Sequence, residues 1–179
     1  MQENVLYTPD EVTAAITRLT EEIFLHYKDR PLALVGIQTR GVVLADRLNA
    51  SLTQKGLHPE AGILDISLYR DDLSNMAALP KIMGSEIPFE VEGASIILCD
   101  DVLYTGRTIR AAMNVLLDYG RPERIELAVL ADRGHRELPI APTYCGFTAS
   151  TEKSDYLRVH FEETDQMDQV VHYSGEAKS

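Results

Sequence analysis

The sequence predicts an α/β fold: a central, mostly parallel sheet flanked by helices, with a smaller hood region over its carboxyl edge. Three observations carry this expectation. The short apolar runs Leu32-Ala33-Leu34-Val35-Gly36-Ile37, Ile96-Ile97-Leu98-Cys99 and Ile125-Glu126-Leu127-Ala128-Val129-Leu130-Ala131 read as core strands, as in a sheet covered on both faces. The first two lead through polar, glycine-containing loops into helical periodicity, the alternation expected of β and α units. With 179 residues, 45% of them hydrophobic, the chain is expected to form a single domain, 1–179, with a substantial core.

Each element has its own signal. Thr8-Pro9-Asp10-Glu11 places an N-cap, a proline at the first helical position and a capping-box glutamate ahead of Val12, Ile16, Leu19, Ile23 and Tyr27, which recur at helical spacing. His26 fits a helix-face residue or a partner for the C-terminal dipole. After the first core strand, Gln38-Thr39-Arg40-Gly41 is either an anion-binding loop or an ordinary strand-to-helix turn, and Val42, Leu44, Ala45, Leu48 and Leu52 mark a helix ending near Gly56. Residues 63–69 alternate apolar and polar side chains, as a strand with unequal faces does. Residues 70–86 show no periodicity and read as a lid, partly hairpin, or as a solvated excursion. Ile109, Ala112, Met113, Leu116 and Leu117 mark a helix with Gly120 as its expected C-cap. Residues 156–161 and 169–173 close the chain as antiparallel strands, followed by a polar, frayed tail.

Composition narrows the function classes. With 17 Lys and Arg against 28 Asp and Glu, the net charge of −11 argues against broad non-specific binding to nucleic acid or anionic membranes. Two isolated cysteines, Cys99 and Cys145, suit small core residues better than a disulfide or metal framework. No apolar run approaches the length of a membrane span and no charged-then-apolar leader opens the chain, so the expected location is the cytoplasm, with no membrane partner.

The stretch Ile96-Ile97-Leu98-Cys99-Asp100-Asp101-Val102-Leu103-Tyr104-Thr105-Gly106-Arg107-Thr108 concentrates the chemistry. A buried strand delivers two carboxylates, then hydroxyls, a compact backbone and a guanidinium, just where a helix begins and free N–H groups favour an anion. Asp100 and Asp101 cannot both be buried without partners. A ligand with a vicinal diol and a phosphate, such as ribose 5-phosphate, would satisfy both carboxylates and loop. Neither G-x-x-x-x-G-K-[ST] nor G-x-G-x-x-G occurs in the chain. A second polar loop, Asp132-Arg133-Gly134-His135-Arg136-Glu137-Leu138-Pro139, follows the third core strand at the edge where open parallel sheets bind ligands.

The 96–108 stretch resembles the phosphoribosyl pyrophosphate signature of type I phosphoribosyltransferases. Residues 35–42, 68–73 and 130–139 are similar, in collinear order, to blocks of one subfamily, the PyrR-type pyrimidine regulatory proteins with uracil phosphoribosyltransferase activity. The resemblance implies that uracil displaces pyrophosphate from C1 of phosphoribosyl pyrophosphate (PRPP) to give uridine monophosphate (UMP). It implies Asp100, Asp101 and Arg40 as catalytic residues, the two aspartates holding the ribose hydroxyls. Val102, Leu103 and Tyr104 would join them along the substrate, Thr105, Gly106, Arg107 and Thr108 would wrap the 5-phosphate, and Thr39 and Arg40 would meet the pyrophosphate. Arg133 and His135 would lie on the uracil side, His135 as acid or base, as a hydrogen-bonding group or as a loop-ordering residue. Arg70 and Lys81 would close over the pyrophosphate or remain surface charges. Mg2+ would be held mainly through substrate oxygens and water, with no protein metal site, and a homo-oligomer is expected.

The resemblance also implies an alternative: a UMP-responsive attenuator that binds leader RNA of a pyrimidine operon. Arg18, Lys28, Arg30, Arg136, Lys153 and Arg158 are the cations that could form its basic face, whereas Glu21 puts a carboxylate where RNA-binding members tend to carry histidine.

Overall fold

A computed structural model describes residues 2–67 and 84–175. Its elements are β1 (Gln2–Tyr7), α1 (Pro9–Tyr27), β2 (Ala33–Ile37), α2 (Arg40–Gln54), β3 (Glu60–Leu64), β4 (Ser95–Leu103), α3 (Arg107–Leu117), β5 (Arg124–Asp132), β6 (Tyr144–Thr148), β7 (Tyr156–His160), α4 (Glu162–Asp165) and β8 (Gln169–Ser174). Strands β3-β2-β4-β5-β6 form one parallel sheet, and β1-β8-β7 an antiparallel sheet that makes the hood. This is the fold the sequence predicts.

Both faces of the parallel sheet are covered, which accounts for the unbroken apolar runs. Along β4, Ile97 and Cys99 join a core with α1 and α2, while Ile96 and Leu98 join one with α3. The first core continues through Leu157, Val159, Phe161 and Val170, so the hood is anchored by apolar burial. Helix α1 begins with the expected capping box: Thr8 N–H donates to Glu11 Oε2 at 2.8 Å, and Glu11 N–H donates back to Thr8 Oγ1. No helix among the described residues is long and apolar enough to cross a membrane.

Several local expectations are corrected. The strand expected over 63–69 is Glu60–Leu64, because parallel pairing with β2 runs from Ala33↔Glu60 to Ile37↔Leu64 and ends where β2 ends. Asp65 then turns the chain, its Oδ1 accepting from Ser67 N–H at 2.9 Å. Gly120 is not the C-cap of α3: the cap is Asp118 in the right-handed region, and Gly120 takes φ +152° in the following turn. Strands β1 and β6 are additional to the elements expected from the sequence. The lid segment, with Arg70 and Lys81, falls mostly outside the described residues, but its flanks meet, Ile63 and Glu86 exchanging backbone hydrogen bonds of 2.7 and 2.8 Å.

Candidate active site

A cleft of about 570 Å³ opens at the carboxyl ends of β2, β4 and β5, roofed by β7. It exists because β2 stops pairing with β4 at Gly36↔Cys99, while β4 continues beside β5 to Leu103↔Asp132. Asp100 and Asp101 therefore sit on a strand that has lost one neighbour. Their own side chains replace part of the lost ladder: Asp101 N–H donates to Asp100 Oδ1 and Val102 N–H to Asp101 Oδ1, each at 2.9 Å. Asp100 is only 7% exposed. Burial pushes the Asp101 carboxyl above the usual carboxylate range, against the pull of the Asp100 hydrogen bond, the Val102 N–H and the Arg40 charge.

Two glycines bring the β2–α2 loop against these carboxylates. A Cβ on Gly41 would collide with the Cys99 carbonyl oxygen, and one on Gly36 with the Cα of Val42. Without side chains there, the start of α2 seats directly on β4, and Thr39 and Arg40 reach the cleft wall. The Gln38–Thr39 peptide is cis. Arg40 donates from Nε and Nη2 to Asp165 of α4 at 3.1 and 2.6 Å, and this paired carboxylate raises the guanidinium pKa further.

On the other flank, Gly106 at φ +92° is the N-cap of α3 and supplies no side chain to cap it. The first-turn N–H groups of such a helix have no intrahelical partner and suit an anion. The loop is held from outside: the Thr105 carbonyl accepts from the N–H groups of Glu137 and Leu138 at 3.0 and 3.1 Å, and Arg107 Nε donates to Glu137 at 2.8 Å. A Cβ on Gly106 would press on Ile140 and Leu138 at 3.3 to 3.4 Å.

The β5 loop contributes Arg133, which is 5% exposed and buried under the cleft. Its N–H donates to the Leu103 carbonyl at 3.0 Å and Nη2 to the Glu152 carbonyl at 3.1 Å, whereas Nε is buried with no hydrogen-bond partner. His135 does not line the cleft; its Nε2 lies 2.7 Å from the Thr151 carbonyl, a group that can only accept, so the ring orders the loop. Arg136 is likewise spent on the loop, donating to Asp132, to the Tyr104 carbonyl and to the Ile140 carbonyl at 2.6, 2.7 and 2.9 Å.

Thus Thr39, Arg40, Asp100, Asp101, Val102, Tyr104, Thr108 and Arg133 line one cleft, and Thr105, Gly106 and Arg107 connect two of its lining residues. Leu103 does not line the cleft: its side chain, 1% exposed, lies in the core on the α3 face with Ile96 and Leu98, although strict alternation from Ile97 and Cys99 would put it on the other face. Arg70 and Lys81 lie outside the described residues. Sequence reasoning missed the roof, Tyr156 and Arg158, and the opposite wall at Asp65 and Ser67. No local motif marks them, since the pairing of β7 with β8 and the turn after β3 bring them to the cleft.

The phosphoribosyl transferase domain family matches residues 4–161. The chain is 50% identical over 167 residues to the bifunctional protein PyrR of Deinococcus deserti, covering 92% of this chain and 91% of that one. It is 47% identical over 178 residues to the bifunctional protein PyrR of Bacillus mycoides, covering 97% and 99%. Among solved structures, the hypoxanthine phosphoribosyltransferase of Staphylococcus aureus superimposes with a TM-score of 0.73 at 18% identity, covering 97% of this chain and 93% of that one. That of Trypanosoma cruzi gives 0.74 at 17% identity, covering 95% and 90%. At these identities the structures speak for the fold.

Proposed function

The chain belongs to the phosphoribosyl transferase family and, within it, to the PyrR-type proteins, and from that premise we propose that it transfers the phosphoribosyl group of PRPP to uracil, forming UMP and pyrophosphate. The observation that carries the reading is the convergence in one cleft of two carboxylates, a helix start whose N-cap is a glycine without a capping side chain, and a buried arginine donor. In the reaction the C1–N1 bond to uracil forms, the C1–oxygen bond to pyrophosphate breaks, the bonding pair leaves with pyrophosphate, and the N1 proton of uracil passes to a pyrophosphate oxygen or to solvent.

Asp100 and Asp101 hold the ribose hydroxyls, and their charge favours the oxocarbenium character that develops at C1. The start of α3, from Thr105 to Thr108, takes the 5-phosphate through backbone N–H groups and hydroxyls. Thr39 and Arg40 face the leaving pyrophosphate. Arg133 stands on the base side, its free Nε–H suited to a pyrimidine carbonyl oxygen. The chain's work is positioning and charge stabilisation in a water-poor cleft. Among the described residues no cluster of three or more His, Cys, Asp or Glu is arranged to hold a metal, whereas the oxygen-only donors Asp100 and Asp101 suit a hydrated Mg2+ shared with the substrate. When bound, the ion supplies positive charge to the pyrophosphate and ribose oxygens. Cytoplasmic, homo-oligomeric action is part of the same proposal, its assembly read by sedimentation.

The test is UMP formation from uracil and PRPP with Mg2+, with orotate and hypoxanthine as competing bases. Preference for either competitor refutes the base assignment.

The relatives' name, bifunctional protein PyrR, favours a second role as a UMP-responsive binder of leader RNA. Of the cations on which such a face would draw, Arg136 is spent on its own loop and Arg158 donates to Asp165, while the opposing carboxylate of Glu21 is ion-paired with Lys55. Lys28 and Arg30 remain exposed at the end of α1. Leader-RNA binding titrated with salt, with and without UMP, decides this role: affinity that does not respond to UMP removes it.

A further inference from the structure

Two arginines on the cleft wall, Arg40 from the start of α2 and Arg158 from β7, converge on the same carboxylate, that of Asp165 in α4. Like charges placed together repel, and an anion-binding wall built from two guanidinium groups needs a counter-charge behind it. Asp165 supplies one. It pairs bidentately with Arg40, at 3.1 and 2.6 Å, and accepts from Arg158 Nη2 at 3.4 Å. It is itself fixed by Thr164 Oγ1 at 2.6 Å and by the Phe161 N–H at 3.2 Å. Arg47, two turns along α2, anchors the same short segment by donating to Asp168 and Glu163 from 2.5 to 2.8 Å. The α4 turn is therefore clasped to α2 at two levels, and Arg40 is held from the hood.

We propose that Asp165 is a positioning residue for the pyrophosphate-bearing substrate: it aims the outer edge of the Arg40 guanidinium, with Arg158 beside it, into the cleft, so that the hood sets the affinity of the pyrophosphate side. A guanidinium carries five donors in a rigid fork, and the pair with Asp165 uses the Nε and Nη2 edge, leaving the Nη1 side for ligand oxygens. This deepens the proposed activity and rests on it, with Asp165 acting only through its arginines.

The experiment measures pyrophosphate and PRPP binding by calorimetry, alongside kcat and both KM values, for wild type, Asp165→Asn, Arg40→Lys, Arg40→Gln and the Asp165→Asn/Arg40→Gln double variant. Asp165→Asn is expected to weaken pyrophosphate and PRPP roughly tenfold, as expected for contacting charged groups, with the KM for uracil within about twofold. Because Asp165 also ties down Phe161 and Thr164, Arg40→Lys provides the check that keeps those bonds and the Arg47 clasp in place: it keeps the charge, loses the fork and should reproduce the shift. In the Arg40→Gln background, Asp165→Asn should add little. Full additivity, or wild-type pyrophosphate affinity in Asp165→Asn or Arg40→Lys, overturns the inference. A wild-type chain that binds no pyrophosphate overturns the proposed activity with it, whereas one that binds and is indifferent to Asp165 overturns this inference alone.

Discussion

The guanidinium of Arg133 lies over the ring of Tyr104, its central carbon 4.0 Å from the ring centroid. The two residues come from adjacent strand ends, β5 and β4, whose last pair is Leu103↔Asp132. The stack fixes the plane of a side chain that is almost wholly buried and leaves Nε without a partner beside the cleft. A buried donor without an acceptor is costly, on the order of 1–3 kcal/mol. A ligand carbonyl that removes this cost is bound more tightly for it, which is the physical case for Arg133 as the reader of the base.

Arg133→Lys keeps the charge but loses both the stack and the Nε donor. The expected outcome is a uracil KM raised about tenfold or more, in line with the loss of a charged hydrogen bond, with the PRPP KM within about twofold. Steady-state kinetics with each substrate varied in turn read the split, and an unmoved uracil KM takes Arg133 off the base side.

Asp101→Asn separates activity from stability. Turnover should fall by roughly 10² to 10³, the range for removing one charge-stabilising group from a preorganised site. The fold should not suffer. Burial raises the folded-state pKa of Asp101 above its unfolded value, so its ionised form opposes folding and that opposition fades as pH falls through the folded pKa. The thermal midpoint at neutral pH is therefore expected to hold or rise in Asp101→Asn. A kcat/KM equal to wild type contradicts the ribose role.

The central part of this site was legible because it is local. Four apolar residues, two aspartates and, after Val102-Leu103-Tyr104, a Thr-Gly-Arg-Thr turn follow one another within residues 96–108, and a strand that ends in a helix start follows from their order. The capping box of α1 was legible for the same reason. Gly41 could be read as a turn glycine, but not as the point where a helix rests on the Cys99 carbonyl, because that neighbour is distant in sequence. Strand β1 could not be read: its pairing partner β8 lies at the other end of the chain, and Val5 remains 48% exposed. Asp165 and Arg40 are separated by 125 residues, and no periodicity encodes their meeting. Leu103 shows the reverse case: a matching motif assigns it to the ligand, whereas its side chain packs into the α3-side core, on the face opposite to the one that alternation from Ile97 and Cys99 gives it.

Gly41→Ala tests the seating of α2. The added Cβ would overlap the Cys99 carbonyl oxygen and approach the Cα of Asp100 at 3.1 Å, both backbone atoms of a core strand. Relief requires moving α2 away from β4, so the expected loss is about 1–3 kcal/mol, the usual cost of overpacking. It should be accompanied by a higher PRPP KM, because Thr39 and Arg40 move with the helix. Gly93→Ala is the contrasting case: nothing lies within 4 Å of its new methyl group, but its φ of +72° strains any residue with a side chain, so it reports backbone strain without a close approach. Urea unfolding of Gly41→Ala against wild type gives the measurement, and an unchanged midpoint would show that the close approach carries no energetic weight.

The amino-terminal end of the sheet provides a pH test remote from the cleft. The Tyr27 hydroxyl donates to Glu126 Oε2 at 2.6 Å, Tyr144 donates to the same oxygen at 3.3 Å, and Arg124 lies 3.7 Å from Oε1. Burial, then the hydrogen bond to Glu126 and its charge, push the Tyr27 phenol up to about 12, whereas an unfolded tyrosine ionises near 10. Between those values the folded state holds the proton that the unfolded state has lost, so this contribution is fully present below about pH 10 and disappears as pH rises through about 12. Tyr27→Phe should cost about 1 kcal/mol at neutral pH, the net value of a typical hydrogen bond. Its urea midpoint should converge on that of wild type between pH 10 and 12, the burial of Tyr144 affecting both proteins alike. Absorbance at 295 nm, followed under folding conditions, should show one late-titrating phenolate fewer in the variant, and a gap in stability that stays constant across that window would rule out a proton held by Glu126.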